Sequence, residues 1–580
     1  MTQSAFLNVD CSLTNRRWIG PSNEVERLAV AMAQATKLPL PLCNTLVARG
    51  VAPQDAEAFL APQLRDLLPD PLRMKDTGRA AARFLQAVKS RQRIAIFADY
   101  DVDGGSSAAL LIVWLRAMGV AATLYIPDRI DEGYGPNVPA MAALGAAHDL
   151  ILCVDCGTLS HDPIAAADCD VIVLDHHLGG ETLPPAYAVV NPNRQDEDGD
   201  LAHLCAAAVV FLMLVEANRQ LRGQGVTGPD LMAMLDLVAL ATVADVAPLI
   251  GVNRALVRQG LKVMARRERV GLRALADIAR MDQAPTAYAL GFLLGPRVNA
   301  GGRIGQADLG ARLLSTDSAS EAAALAERLD VLNTERRAIE AAVREEALAQ
   351  AEARGTQGPL VWAAGEGWHP GVVGIVAARL KEATHRPAVV IGFDGVEGKG
   401  SARSVTGVDL GAAIQRIAAE GLLIKGGGHK MAAGLSVHRD KLEQAMARLS
   451  ELLGKQGAGT AGREDLRIDC LLMPTTATPA FVEQLESAGP FGTAAPAPRF
   501  VFTDTAVTTR RVGSSHLKIS FGDGMGAKID GIAFGAFDTP LGEALENAGH
   551  QRFHLAGRLE LNTWGGRSKV QLRLEDAAKA

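Results

Sequence analysis

A chain of 580 residues exceeds what one hydrophobic core normally serves, so three or more domains are expected. The apolar fraction of 48% excludes a disordered polypeptide, and the net charge of −6 excludes a protein that coats nucleic acid by bulk attraction. A nuclease is not excluded, because acidic metal ligands count in that charge until cations neutralise them.

The first residues, broken by Pro39, Pro41, Pro53 and Pro62, read as a small helical cap without recognisable chemistry. From Arg91 to Asn193 strands alternate with helices: a strand at Ile94 to Phe97, a helix from Gly104 to Met118, and strands near Thr123, Leu150, Val171 and Val189. This alternation predicts an α/β fold with a doubly wound parallel sheet. A helix follows over Leu231 to Val246, and its apolar run buries Asp245, which needs either a cation or a partner such as Arg254. Ser318 to Arg354 contains no proline and repeats apolar residues at Leu325, Leu329, Leu332, Ile339 and Val343, the pattern of one long amphipathic connector helix. A second α/β segment begins at Leu360-Val361-Trp362 and carries two glycine-rich stretches, Gly398 to Ser404 and Gly426-Gly427-Gly428-His429, read as phosphate-holding loops. Beyond Arg463 short alternating runs predict a small β-barrel. Between Arg499 and Arg573 ten Lys and Arg face seven Asp and Glu beside Phe521, Phe534 and Trp564, which suits an oligonucleotide-binding face or a solvated barrel surface equally.

The chemistry lies in three acidic clusters, each closing a buried strand: Asp99-Tyr100-Asp101-Val102-Asp103-Gly104, Asp155-Cys156-Gly157 and Asp175-His176-His177. In a parallel sheet ligands bind at the carboxyl ends of strands, so the clusters converge in one crevice. Crowded carboxylates repel and need cations, and oxygen ligands with an imidazole suit Mn²⁺ or Mg²⁺. Two such ions roughly 3.5–4 Å apart, bridged by a carboxylate, would serve phosphoester hydrolysis. A neighbouring His177 could hold the scissile phosphate or assist proton transfer, and Asp175 could orient a ligating imidazole. Gly104-Gly105-Ser106-Ser107 lacks the lysine of a P-loop, and no serine nucleophile elbow is present. The seven scattered cysteines read as reduced thiols. The longest apolar run, Cys205 to Val215, is too short for a membrane span and no signal peptide precedes it, so a cytoplasmic protein with no membrane partner is expected.

These segments, together with Thr242-Val243-Ala244-Asp245-Val246, Gly295-Pro296-Arg297-Val298-Asn299-Ala300-Gly301-Gly302-Arg303, Trp368-His369-Pro370-Gly371-Val372-Val373-Gly374-Ile375 and Gly427-Gly428-His429, resemble the DHH phosphoesterase superfamily and, within it, its single-strand-specific DNA exonucleases. The resemblance covers nearly the whole chain after the cap. It implies a cap at 1–75, a DHH catalytic domain at 76–315, a connector helix at 316–356, a DHHA1 domain at 357–460 and an OB-fold at 461–580. It implies two Mn²⁺ or Mg²⁺ ions on Asp101, Asp103, Asp155, His176 and Asp245, with Asp99 adjacent, which settles Asp245 as a ligand. Asp175 and His177 would be catalytic, with His177 facing the phosphate. Arg129, Arg297, Asn299, Arg303, Ser401, Arg403, Gly427, Gly428 and His429 would hold single-stranded DNA. The implied activity is 5′-to-3′ release of 5′ mononucleotides in recombination and repair, with single-strand-binding protein and a RecQ-type helicase as partners. A smaller-substrate DHH enzyme and a scaffold that has lost its ions are the competing readings; the extra barrel and the full ligand set argue against them. The chain departs from the family pattern at Ala494-Ala495-Pro496-Ala497-Pro498, where a Gly-Asn-Pro-Glu-Pro stretch is usual, and at Cys205-Ala206-Ala207-Ala208, where a glycine-containing turn is usual.

Overall fold

The computed structural model describes residues 4–129, 131–459, 464–524, 526–564 and 567–580. The expected boundary at 460/461 and the side chain of Trp564 lie outside what is described. The chain forms two compact units, Pro69–Ala247 with Leu256–Ala461, and Met1–Leu68 with Pro248–Ala255 and Gly462–Ala580.

In the larger unit, β1 (Ile94–Ala98), β2 (Ala122–Tyr125), β3 (Leu150–Val154), β4 (Asp170–Leu174) and β5 (Ala188–Val190) form an all-parallel sheet in the order β2-β1-β3-β4-β5. Every residue of β1 and β3 is buried, so these runs are continuously apolar rather than alternating, as a sheet covered on both faces requires. One face, with Ala95, Phe97, Ile151, Cys153 and Val173, packs on Met141, Leu144 and Ile164. Helices α1 (Val102–Ala117) and α2 (Ala206–Gly223) also belong to this unit, and α3 (Leu235–Ala244) packs on both. Register sets the functional geometry: Ala98, Val154, Leu174 and Val190 stand side by side in the four central and edge strands. The next residues, Asp99, Asp155, Asp175 and Asn191, therefore emerge as a row at the switch point of a 2-1-3-4-5 sheet. The ladder extends through that row, with the amides of Asp99, Asp155 and Asp175 donating to the carbonyls of Val154, Leu174 and Val190.

Helix α4 (Gly295–Ile304) precedes the connector α5 (Ala319–Arg354), whose 36 residues span roughly 54 Å. Ser318 caps α5 by accepting from the amide of Glu321. Its last buried residues, Val343, Ala347 and Ala351, join Val361, Trp368, Val372 and Val376 in the core of the second sheet. That sheet comprises β6 (Val361–Glu366), β7 (Ala388–Asp394), β8 (Glu397–Arg403), β9 (Lys425–Gly428) and β10 (Ala432–His438) in the order β9-β10-β8-β7-β6, with helix α6 (Pro370–Thr384) packed on β7 and β8. The two glycine-rich stretches are thus not loops, as expected, but strands β8 and β9. Packing is the reason: a Cβ on Gly398 or Gly400 would lie 2.7 or 2.8 Å from Ile391, and one on Gly426 2.8 Å from Ile414. Gly427 and its cross-strand partner Gly434 alone in this group meet open space, leaving bare backbone beside Ser401.

In the smaller unit, β11 (Phe500–Val512), β12 (His516–Gly522), β13 (Lys528–Ala533), β14 (Arg552–Trp564) and β15 (Arg567–Lys579) close into a five-stranded barrel, since β11 pairs with both β12 and β14. The first 68 residues do not stand apart as a cap. Strand Arg17–Ile19 pairs with Asp465–Arg467, and fully buried Trp18 donates from Nε1 to Asp576 Oδ2 at 2.8 Å. Ala29, Met32, Leu42 and Leu46 share one core with Phe500, Phe502 and Phe521, because the apolar stripes of those short helices find their cover on the barrel. Among the described residues no helix is long and apolar enough to cross a membrane.

Candidate metal centre

The first acidic cluster turns from β1 into α1. Asp101 is the N-cap of α1, its Oδ1 accepting from the amides of Asp103 (2.8 Å) and Gly104 (3.1 Å), and this turn brings both aspartates to the strand ends. Gly104 is obligatory, because a Cβ there would lie 2.3 Å from the carbonyl oxygen of Asp99. Asp103 is buried and reaches across to α2, accepting from the amides of Ala206 (2.7 Å) and Ala207 (2.8 Å). The departure at Cys205 to Ala208 therefore leaves these donors intact. Asp155 ends β3 with φ 60°, a left-handed conformation that turns its carboxylate into the crevice.

His176 joins these acids. Its Nε2 lies 3.3 Å from Asp155 Oδ1 and 3.7 Å from Asp103 Oδ2, and its Nδ1 lies 3.9 Å from Asp245 Oδ2. Three groups have donor atoms within 4.8 Å of one another: Asp99, Asp101 and Asp155; Asp103, His176 and Asp245; Asp155, His176 and His177. All five expected ligands are thus brought together, with Asp99 and His177 added. Asp155 and His176 each belong to two groups.

The donor set fits divalent cations. Among the described residues the buried oxygens Asp99 Oδ1 and Asp155 Oδ1 have no hydrogen-bond partner, although His176 Nε2 lies 3.3 Å from the latter without hydrogen-bond alignment. Burial, then mutual repulsion among the acids, raises the pKa values of Asp99, Asp103 and Asp155, and that of Asp245 to about 8. Carboxylates that resist ionising until a cation arrives are the expected state of such a site. The alternative for Asp245 is removed: Arg254 stacks on Phe59 and donates to the carbonyls of Phe59, Ser487 and Gly489.

Asp175 plays a different part. Its Oδ1 accepts from the amides of His176 (2.7 Å) and His177 (3.1 Å) and from His177 Nδ1 (2.8 Å), and its Oδ2 accepts from the Thr158 amide and hydroxyl. Burial would raise its pKa, but the His177 hydrogen bond and charge and the Thr158 hydroxyl outweigh burial and hold it well below the carboxylate range. Conversely burial would lower the pKa of His177, but Asp175 lifts it to about 9. His177 Nδ1 is therefore the donor to an ionised Asp175.

Several supporting residues escaped the sequence reading. Asn191 Nδ2 donates to the Thr158 hydroxyl and the His177 carbonyl, both at 2.8 Å, and Asn193 Nδ2 to the His176 carbonyl at 2.6 Å. The signal for Asn191 was its place immediately after the apolar run Ala188-Val189-Val190. Tyr134 Oη lies 3.1 Å from the Asp155 carbonyl oxygen and 3.2 Å from His177 Nε2. Its proton goes to the carbonyl, leaving the phenol oxygen to accept from Nε2.

Of the residues expected on DNA, Arg129 lies within charge range of Asp99 and Arg303 of Asp101, and Arg403, bonded to Ser401, lies within range of Arg129. Arg129 lies over Tyr100, 5.1 Å from the ring centre, and Arg403 Nη1 donates to Ser401 Oγ at 3.0 Å. Burial and then Arg129 lower the pKa values of Arg403 and His369, and burial, Arg129 and Arg336 push Arg303 down to about 10. Cations that disfavour one another in this way call for an anion. Gly427 and Gly428 lie in β9 and exposed His429 in the turn that follows. Arg297 and Asn299 are placed otherwise. Arg297 is held by Asp330 Oδ1 (2.8 Å) and the Leu293 carbonyl, and Asn299 Oδ1 accepts from the Val102 amide (3.0 Å), beneath the Asp101 to Asp103 turn.

Residues 93–242 match the DHH family N-terminal domain, 357–455 the DHHA1 domain and 468–576 the RecJ OB domain. The single-stranded-DNA-specific exonuclease RecJ of Dickeya dadantii (strain 3937) is 39% identical over 513 residues, 84% of this chain and 88% of that protein. Crystal structures of RecJ from Thermus thermophilus with Mn²⁺ and with Mg²⁺ superpose with TM-scores of 0.80 and 0.75 at 30% and 29% identity, each over 97% of this chain and over 79% and 78% of those chains. The chain with this row of acids, imidazoles and facing cations belongs to the RecJ family of DHH proteins.

Proposed function

We propose that the protein is a metal-dependent exodeoxyribonuclease specific for single strands, which removes 5′ mononucleotides from the 5′ end during recombination and repair. The observation that carries this reading is the meeting of Asp99, Asp101, Asp103, Asp155 and Asp245 around His176 at the carboxyl ends of the parallel strands. Asp101, Asp103, Asp155, His176 and Asp245 would hold two Mn²⁺ or Mg²⁺ ions. When bound, such a pair supplies positive charge to the phosphoryl oxygens and a water ionised at neutral pH. Asp175 fixes the ring of His177 and raises its pKa, and His177 faces the scissile phosphate or passes a proton. Arg129, Arg303, Ser401 and Arg403, with the open backbone at Gly427, the backbone of Gly428, and His429, hold the strand's phosphates and its 5′ end. Arg297 and Asn299 serve indirectly, by holding α4 to the connector and by steadying the Asp101 to Asp103 turn.

In this reading residues 76–315 are the catalytic DHH domain, 316–356 the connector, 357–460 the DHHA1 domain and 461–580 the OB-fold. The enzyme acts in the cytoplasm, with single-strand-binding protein and a RecQ-type helicase as partners.

The test follows release of label from 5′- and 3′-labelled single strands with and without Mn²⁺. Mononucleotides appear first from the 5′ label, only with metal, and faster than from blunt duplex or a dinucleotide. Asp155→Ala and His176→Ala abolish release while strand binding persists. Unchanged turnover in either variant, or equal speed on duplex, overturns the reading.

A further inference from the structure

Two aromatic rings with no part in the chemistry above stand in solvent on a turn that packs against α3, the helix that leads into Asp245. Tyr288 and Phe292 are 58% and 65% exposed, and their rings stack with centres 4.8 Å apart and planes 24° from parallel. Tyr288 lies just before a π-helical turn, Leu290–Leu294, and Phe292 within it, a departure from α geometry that is frequent at functional positions. The other side of the turn is firmly seated. Leu290 and Leu294 are fully buried, and a Cβ on Gly291 would lie 3.4 Å from Val243 and one on Gly295 3.3 Å from Ala244 Cβ. Val243 and Ala244 directly precede Asp245. At the same helix end, Val246 is 65% exposed with φ 60°, a left-handed conformation that glycine adopts freely and β-branched residues rarely do. Two exposed rings on this turn, and an exposed valine in a strained conformation at the end of the helix it packs on, are unfavourable in solvation and backbone energy.

We infer that Tyr288 and Phe292, with Val246 as an apolar edge, form a stacking platform for an unpaired nucleobase of the strand whose phosphates the arginines hold. The inference rests on the proposed function. A planar base matches the exposed ring face, and stacking of this kind tolerates any sequence. In a duplex both base faces are covered by neighbouring pairs, so the platform favours single strands without reading them.

The test measures binding, by fluorescence anisotropy in EDTA, of a 5′-phosphorylated oligothymidylate and of an abasic strand of equal length. Phe292→Ala weakens the oligothymidylate by roughly 5- to 100-fold and leaves the abasic strand within about twofold, while Phe292→Trp binds both like the unaltered chain. Equal loss on both strands, or none on either, overturns the platform. A surface for an apolar protein partner gives the second of these results. Release of mononucleotides from single strands by the unaltered chain with Mn²⁺ is measured alongside. Its absence sinks the nuclease reading, whereas its presence with a base-indifferent Phe292→Ala sinks the platform alone.

Discussion

Asp175 Oδ1 accepts a 2.8 Å hydrogen bond from Nδ1 of His177, and the same oxygen gathers the amides of both histidines of the motif. One buried carboxylate thus sets the backbone turn and the charge of the ring beside the metal centre. Asp175→Asn keeps the shape but removes the negative charge that lifts His177 to about 9. The expected result is a His177 pKa nearer its ordinary 6.5 by NMR titration, and a fall in kcat of about 100-fold or more at neutral pH. An unchanged titration would mean that other acids, not Asp175, hold the ring.

The Tyr134 hydroxyl bridges the Asp155 carbonyl and His177 Nε2, and although the residue as a whole is 54% exposed, desolvation at its hydroxyl end and then the surrounding carboxylates suppress its ionisation. It therefore acts as a neutral link. Tyr134→Phe keeps the ring's edge contact with His177 and deletes the link, so kcat should fall by about 10-fold with KM and thermal stability little changed. A rise in KM alone would place Tyr134 on the substrate instead.

The sheet, the connector helix and the gathering of the acids with His176 were legible because each rests on one strong local pattern. Ile94 to Ala98 and Leu150 to Val154 are uninterrupted apolar runs, and an acid at the end of such a run in a parallel sheet has only one crevice to enter. The partners of Asn299 and Arg297 were not legible for a reason of scale. A motif names residue types, but whether an amide faces Val102 or a guanidinium faces Asp330 depends on contacts 197 and 33 residues away. The glycine-rich stretches failed differently, because glycine serves both phosphate loops and crowded sheets, and only Ile391 on the neighbouring strand and Ile414 on the helix Leu410–Ala419 decide between them. The N-terminal segment could not be joined to the barrel from its own pattern, since the partner of Trp18 is Asp576.

Metal-free protein should lose stability as pH rises. An acid whose folded pKa is raised binds a proton in the fold that the unfolded chain has released, so its stabilising contribution is complete below the ordinary value of 3.8 and lost on the way up to the folded value. For Asp245 that window runs from 3.8 to about 8, and Asp99, Asp103 and Asp155 act in the same direction. His177, raised from 6.5 to about 9, adds a loss at the alkaline end. In EDTA the Tm should fall between about pH 5.5 and 8.5, and the upward shift produced by Mn²⁺ should be larger at the alkaline end, since the ions bind the ionised carboxylates. A Mn²⁺ shift independent of pH would contradict it.

Ala494 occupies φ 57° at an exposed position, where the family pattern has glycine. A side chain in the left-handed region costs roughly 1–2 kcal/mol, partly offset by the greater freedom glycine gains in the unfolded chain. Ala494→Gly removes no packing there, so it should stabilise the barrel-containing unit by about 0.5–1 kcal/mol in denaturant unfolding with activity unchanged. A destabilised variant would mean that the turn relaxes around alanine.

Asn299 offers the sharpest separation between holding DNA and holding the metal turn. Its Oδ1 accepts from the Val102 amide, which lies between the two aspartates that line the centre. Asn299→Ala leaves that amide without its acceptor and loosens both carboxylates, and loss of such an outer hydrogen bond typically weakens a metal site about 10- to 100-fold. The expected variant needs about that much more Mn²⁺ for half-maximal rate, regains near-normal kcat at saturating Mn²⁺, and binds single strands in EDTA as tightly as the unaltered chain. Asn299→Asp, which keeps the acceptor but adds a charge beside Asp101 and Asp103, should restore the hydrogen bond and bind Mn²⁺ better than Asn299→Ala. A variant whose Mn²⁺ requirement is normal but whose strand affinity in EDTA has dropped would return Asn299 to the DNA-contacting set.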